Sequence, residues 1–173
     1  MTPHLRQEIM KAETYTARLK FLQENNITTA DDLNACMQRA ENAVTQLAKQ
    51  RTILNVRKKK RKKLFDALAA EESLAVSKAL YEEGLSGMES EYAQYVEAKA
   101  TLDTCGISRQ ALTEEKADIY EQLAQLNKQI RAERKKIKLC REIADSAAKM
   151  QQDIAVQEKS QQEKEASQTR DYK

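Results

Sequence analysis

Two stretches of this chain place apolar residues alternately three and four apart, a spacing that draws one narrow stripe along an α-helix. The first stripe is Leu33, Met37, Ala40, Val44, Leu47 and, past the polar Arg51, Leu54. The second is Leu112, Ile119, Leu123, Leu126, Ile130, Ile137, Cys140 and Ala144, broken only at Lys116 and Glu133. A stripe this narrow buries only against another stripe, so stability must come from helix–helix seams, within the chain or shared with a second one. The composition closes off a β-rich alternative: Pro3 is the only proline, there are three glycines, and aromatic residues make up 5% of the chain. Turns and strands draw on the residue types missing here. The expectation is an all-α fold of long coiled-coil-like helices, arranged as an elongated helical hairpin or a three-helix bundle. Which helix pairs with which stays open at this level.

Local chemistry marks the boundaries. Residues 1–28 read as a polar N-terminal segment and a short helix from about Ala12, with Tyr15, Leu19 and Leu22 on its apolar face. Asn25-Asn26 ends that helix, because asparagine tolerates the left-handed conformation of a helix terminus. Thr28 or Thr29 caps the next helix, with Asp31 and Asp32 in its first turn and Ile27 stapling the entry. That helix is expected over 29–83, and its seam is expected to decay at the basic run between Val56 and Leu64 before a looser pattern resumes at Leu64 and Leu68. Gly84 and Gly87 bracket a break. A connecting helix over 86–104 offers Met88, Tyr92, Tyr95 and Leu102 as its buried side. Gly106 and Ser108 then close one helix and open the last, over 108–156, which precedes a polar tail over 157–173.

Charge is distributed unevenly. The net charge is +3, yet Arg57, Lys58, Lys59, Lys60, Arg61, Lys62 and Lys63 are consecutive and carry +7. A second cluster on the last helix holds Lys128, Arg131, Arg134, Lys135, Lys136, Lys138 and Arg141 against the single acid Glu133. Such segments are read as solvated stretches of exposed helix or as phosphate contacts to DNA that release counterions and carry no sequence preference, with a membrane-surface or targeting role as a third reading of the run at 57–63. Two basic stretches on two long helices would then form a stripe along a duplex backbone.

Catalytic chemistry finds no foothold. His4 is the only histidine, and neither a GxxxxGK[ST] loop nor a GxGxxG turn is present. The carboxylate pairs Asp31-Asp32 and Glu114-Glu115 sit near helix starts, where they complement the helix dipole. Cys36, Cys105 and Cys140 are odd in number and far apart, which argues against a disulfide framework or a thiolate metal site. No apolar run reaches the ~20 residues of a membrane span, and Arg6, Glu8, Lys11 and Glu13 interrupt any leader-like stretch. The expectation is a cytoplasmic, non-enzymatic protein without cofactor, metal or small-molecule substrate. Its partners are DNA, a helical protein, or a second copy of itself.

Three segments carry a resemblance. KFLQENNITTADDL (Lys20 to Leu33), GISRQALTEEKADIYEQL and LNKQIRAERKKIKLCREI resemble the non-catalytic C-terminal region of mobilisation relaxases, the nucleases of plasmids and integrative elements in Firmicutes-type bacteria. In that family a helix enters through a turn matched here by Asn26, Ile27, Thr28, Asp32 and Leu33. It returns in a basic helix whose end is matched by Leu139, Cys140 and Ile143. The likeness covers about residues 15–145. The relaxase reaction needs a tyrosine nucleophile beside a metal-binding histidine cluster, and neither that cluster nor its domain is found in this sequence. The resemblance therefore implies a detached accessory tail that holds DNA, dimerises or docks on transfer machinery, with no catalytic residue carried over.

Overall fold

A computed structural model describes residues 2–168. Five helices and no strand occur among the described residues: α1 (Pro3–Glu24), α2 (Ala30–Ser73), α3 (Ala75–Glu82), α4 (Glu89–Thr104) and α5 (Arg109–Gln168). The fold is all-α. It divides into two compact units, one formed by residues up to Thr45 and from Arg131 onward, the other by Gln46–Ile130. α2 and α5 contribute to both.

The element limits follow from capping chemistry. Asn26 adopts a positive φ of 52°, while Ile27 N–H donates to the Leu22 carbonyl at 2.9 Å and Asn26 N–H to that of Gln23 at 3.2 Å. This paired closure satisfies two carbonyls that the end of α1 would otherwise leave open, and it brings Ile27 back onto Leu22. Thr29 then caps α2. Its Oγ1 accepts from Asp32 N–H at 3.1 Å, and Asp32 Oδ2 accepts from Thr28 N–H at 3.0 Å and Thr29 N–H at 2.9 Å. Helix entry is thus secured reciprocally. Backbone and hydroxyl donation from Thr28, then donation from Thr29, holds the Asp32 carboxyl at about 2, below its ordinary 3.8. At α5, Ser108 Oγ accepts from Ala111 N–H at 3.1 Å, and Gly106 turns the chain with φ 69°.

Three limits differ from expectation. The N-terminal helix begins at Pro3, well before Ala12; a proline fits the first helical position because its missing N–H has no partner there anyway. The helix expected over 29–83 is two helices, interrupted at Leu74. α5 continues past residue 156 to Gln168, and residues 169–173 of the expected polar tail lie outside the described residues.

In the first unit the core is Phe21, Ile27, Leu33, Cys36 and Cys140, with Leu22, Met37, Leu139 and Ile143 packed against it. The face expected to bury α1 is rotated: Tyr15 and Leu19 are exposed, and Phe21 is buried instead. Arg18, one turn before Phe21 and Leu22, reaches α5, where its Nη1 donates to Ser146 Oγ at 2.9 Å.

In the second unit the core is Phe65, Ala67, Ala98, Leu102, Leu112, Ile119 and Leu123, with Leu54, Leu64 and Leu68 packed on it. α4 enters it through Ala98 and Leu102; Met88, Tyr92 and Tyr95 are only half-buried. Tyr92 instead stacks on Tyr81 of α3, their ring centroids 4.2 Å apart. α2 and α5 run antiparallel in this unit, since Arg51 meets Asn127, Arg57 meets Glu115 and Glu71 meets Arg109. Arg109 Nε and Nη2 grip both Glu71 carboxylate oxygens at 2.6 and 2.7 Å, and Nη2 also reaches Asp103 at 2.8 Å. One side chain therefore ties the start of α5 to the ends of α2 and α4.

Ile119 has no exposed surface. Ile119→Ala is expected to destabilise the protein by ~2–5 kcal/mol, measured by chemical denaturation; a loss below about 1 kcal/mol would contradict its place in the core. For Asp32, the folded carboxyl titrates below 3.8, so its stabilising contribution is full above about pH 4 and fades as the pH falls toward 2. An Asp32→Asn variant should therefore be less stable than the parent at neutral pH. That gap should narrow through this acid window, and a gap that stays constant down to pH 2 would contradict the assignment.

Candidate nucleic-acid interface

Burial on α2 continues through the basic run. Continuing the alternation of four and three past Leu54 predicts seam positions 58, 61, 65 and 68. The structure half-buries Lys58, Arg61 and Leu68 and buries Phe65, while Lys59, Lys60, Lys62 and Lys63 are exposed. Arg51, which interrupts the apolar pattern one turn earlier, is half-buried as well, with Nη1 3.4 Å from Asn127 Oδ1.

Each polar seam residue finds a partner on α5. Glu115 is largely covered, and it receives Arg57 Nη2 at 2.8 Å and Arg61 Nε at 3.3 Å. Lys58 lays its ammonium over the Tyr120 ring, 4.2 Å from the centroid. A cation at that distance is attracted by the ring quadrupole, and its alkyl stem covers apolar surface alongside. Arg57 and Arg61 are one turn apart on one flank of the seam. Lys58 and Lys62 are one turn apart on the other.

The run of cations therefore divides by role. Arg57, Lys58 and Arg61 are engaged in the helix pair. Among the described residues, Lys59, Lys60, Lys62 and Lys63 form no ion pair, so their ammonium groups remain available for phosphate. The second cluster divides similarly. Lys136 pairs with Glu133 at 2.8 Å, Lys138 with Glu142 at 3.7 Å and Arg141 with Glu41 at 2.9 Å. Lys128, Arg131, Arg134 and Lys135 are exposed. The run at 57–63 lies opposite Glu115 and Tyr120, and the second cluster falls mostly in the other unit.

The remaining expected seam residues sort by depth. Leu33, Leu112, Ile119, Leu123, Leu126 and Ile130 are buried, and Met37, Val44, Leu47, Leu54 and Ile137 are half-buried. Phe65, Ala67 and Cys36 are buried without having been expected at the seam. Phe65 falls on the extrapolated heptad, and a strict count through the lysines would have found it.

Other reactive groups are quiet. Burial, with the Cys36 thiol beside it, pushes the Cys140 thiol up to about 11, so it stays protonated at neutral pH. Among the described residues no group of three or more His, Cys, Asp or Glu side chains is gathered to hold a metal ion. Likewise, no helix of the described residues is long and apolar enough to cross a membrane. No family model, curated protein or solved structure matches this chain.

Lysine acylation under native conditions should modify Lys59, Lys60, Lys62 and Lys63 faster than Lys58, read by peptide mass spectrometry. Equal rates across the run would contradict the placement of Lys58 on Tyr120.

Proposed function

We propose that this chain is a non-catalytic DNA-binding module that assists mobilisation of a genetic element, in the manner of a relaxase tail. The observation that carries the reading is the division of the basic run. Three cations are engaged between α2 and α5, and the four lysines beside them, Lys59, Lys60, Lys62 and Lys63, are exposed and form no ion pair among the described residues. Exposed ammonium groups without an acidic partner can meet phosphates directly, and each phosphate neutralised releases counterions. Lys128, Arg131, Arg134 and Lys135 extend the same capacity to a second stretch of α5. Contacts of this kind position a protein on nucleic acid without reading bases. The antiparallel α2/α5 pair is a coiled-coil hairpin in this reading, serving as the scaffold, and the protein works in the cytoplasm with neither cofactor nor active site.

A second reading, a coiled-coil interaction protein with no nucleic-acid binding, rests on a different observation. Ile53 is 68% exposed and lies in a groove with Gln50, Leu54, Gln122, Gln125 and Leu126, a surface suited to a partner helix.

Binding to a labelled duplex, titrated with salt, separates the two. The DNA reading expects log Kd to change with log salt at a slope of about 0.9 per phosphate contacted, near 4 for four lysines. Lys59→Glu with Lys60→Glu, Lys62→Glu and Lys63→Glu is expected to abolish binding while helicity stays unchanged by circular dichroism. Absence of binding by the parent protein at low salt rejects the DNA reading.

A further inference from the structure

Tyr120 belongs to neither core. It sits on α5 with 47% of its surface exposed, and the Lys58 ammonium lies over its ring, 4.2 Å from the centroid. Around it is a groove of ≈ 420 Å³ whose other wall is a single flank of α2: Asn55, Lys58, Lys59, Lys62 and, at the far end, Asp66. Asn55, Lys59, Lys62 and Asp66 follow one another at steps of four, three and four, with Lys58 beside Lys59, so they form a polar track along the helix beside one half-open aromatic ring. Phe65 closes the floor.

A track of cations next to an accessible ring has more chemistry than phosphate binding requires. Duplex phosphates need only the lysines, because the faces of paired bases are occupied by stacking on their neighbours. An aromatic ring set in a basic groove is complementary to a base that is free to leave the stack. We infer that this groove is a subsite for single-stranded nucleic acid, in which one base stacks on Tyr120 and the adjoining phosphates lie on Lys59 and Lys62. The inference deepens the DNA-binding reading and rests on it. The base takes the ring face that Lys58 covers, and the displaced ammonium joins the phosphate next to it. Asn55 supplies an amide donor and acceptor at one end. At the other, the Asp66 carboxylate repels phosphate and so marks where the strand must leave the track.

The test compares a labelled oligodeoxythymidylate with a duplex of equal length at fixed salt, using the full chain. Tyr120→Ala is expected to weaken single-strand binding by roughly tenfold while duplex binding stays at the parental level, and Tyr120→Phe should retain the parental single-strand affinity. A loss confined to single strand supports the subsite. Equal single-strand affinity for the parent and Tyr120→Ala overturns it and leaves the phosphate-binding reading standing, whereas a parent that binds neither probe removes both. A second measurement needs no variant: a strand carrying 5-iododeoxyuridine should photocrosslink to Tyr120 in the parent protein. Crosslinks confined to other residues would overturn the assignment.

Discussion

Glu115 is the residue on which the arrangement of the second unit turns. A seam made only of leucine and isoleucine is indifferent to register, since sliding by one heptad still matches apolar to apolar. The α2/α5 pair escapes that indifference because its seam is interrupted by cations that each need a particular partner. Arg57 and Arg61 converge on Glu115, Lys58 needs Tyr120 and Arg51 needs Asn127. Sliding the helices would leave the largely covered Glu115 carboxylate without its counter-ions and the half-buried Arg61 without its own. The stabilisation from each exposed pair is small. The cost of a wrong register, which strands several of them together, is larger.

That constraint links the fold to the proposed activity. Because Lys58 and Arg61 occupy seam positions, the residues between and beside them are forced outward. The lysines available for phosphate are thus displayed by the same periodicity that buries Phe65. The basic run is at once a segment of the seam and a charged surface, and the two roles fall to different residues of one sequence. The Tyr120 groove follows from the same geometry, lying where the outward flank of α2 meets α5.

Much of this was legible in the sequence where the cause is local. Asn26, Thr29 and Ser108 mark helix ends because each satisfies backbone groups within a few residues of itself. The alternating spacing of Leu33 to Leu54 and of Leu112 to Ile137 announces two stripes that need burying. What was not legible depends on residues far apart in sequence. Nothing near Arg61 shows that a glutamate 54 positions later will meet it, so the polar run reads as the end of a seam when it is a polar stretch within one. Tyr15 and Leu19 form an apolar face that the structure leaves outside, while Phe21 is buried against residues far along the chain such as Cys140. Pairs within one helix, such as Lys136 with Glu133, are readable from spacing, whereas Arg18 reaching Ser146 is not.

The most direct test of the central claim is a charge swap across the seam. Glu115→Arg should lower the denaturation midpoint, as should Arg57→Glu combined with Arg61→Glu. Combining all three substitutions restores opposite charges in the same places, and the account predicts that the triple variant recovers most of the lost stability. A triple variant whose loss equals the sum of the two separate losses would show that these residues do not face one another, and the register built on Glu115 would be wrong.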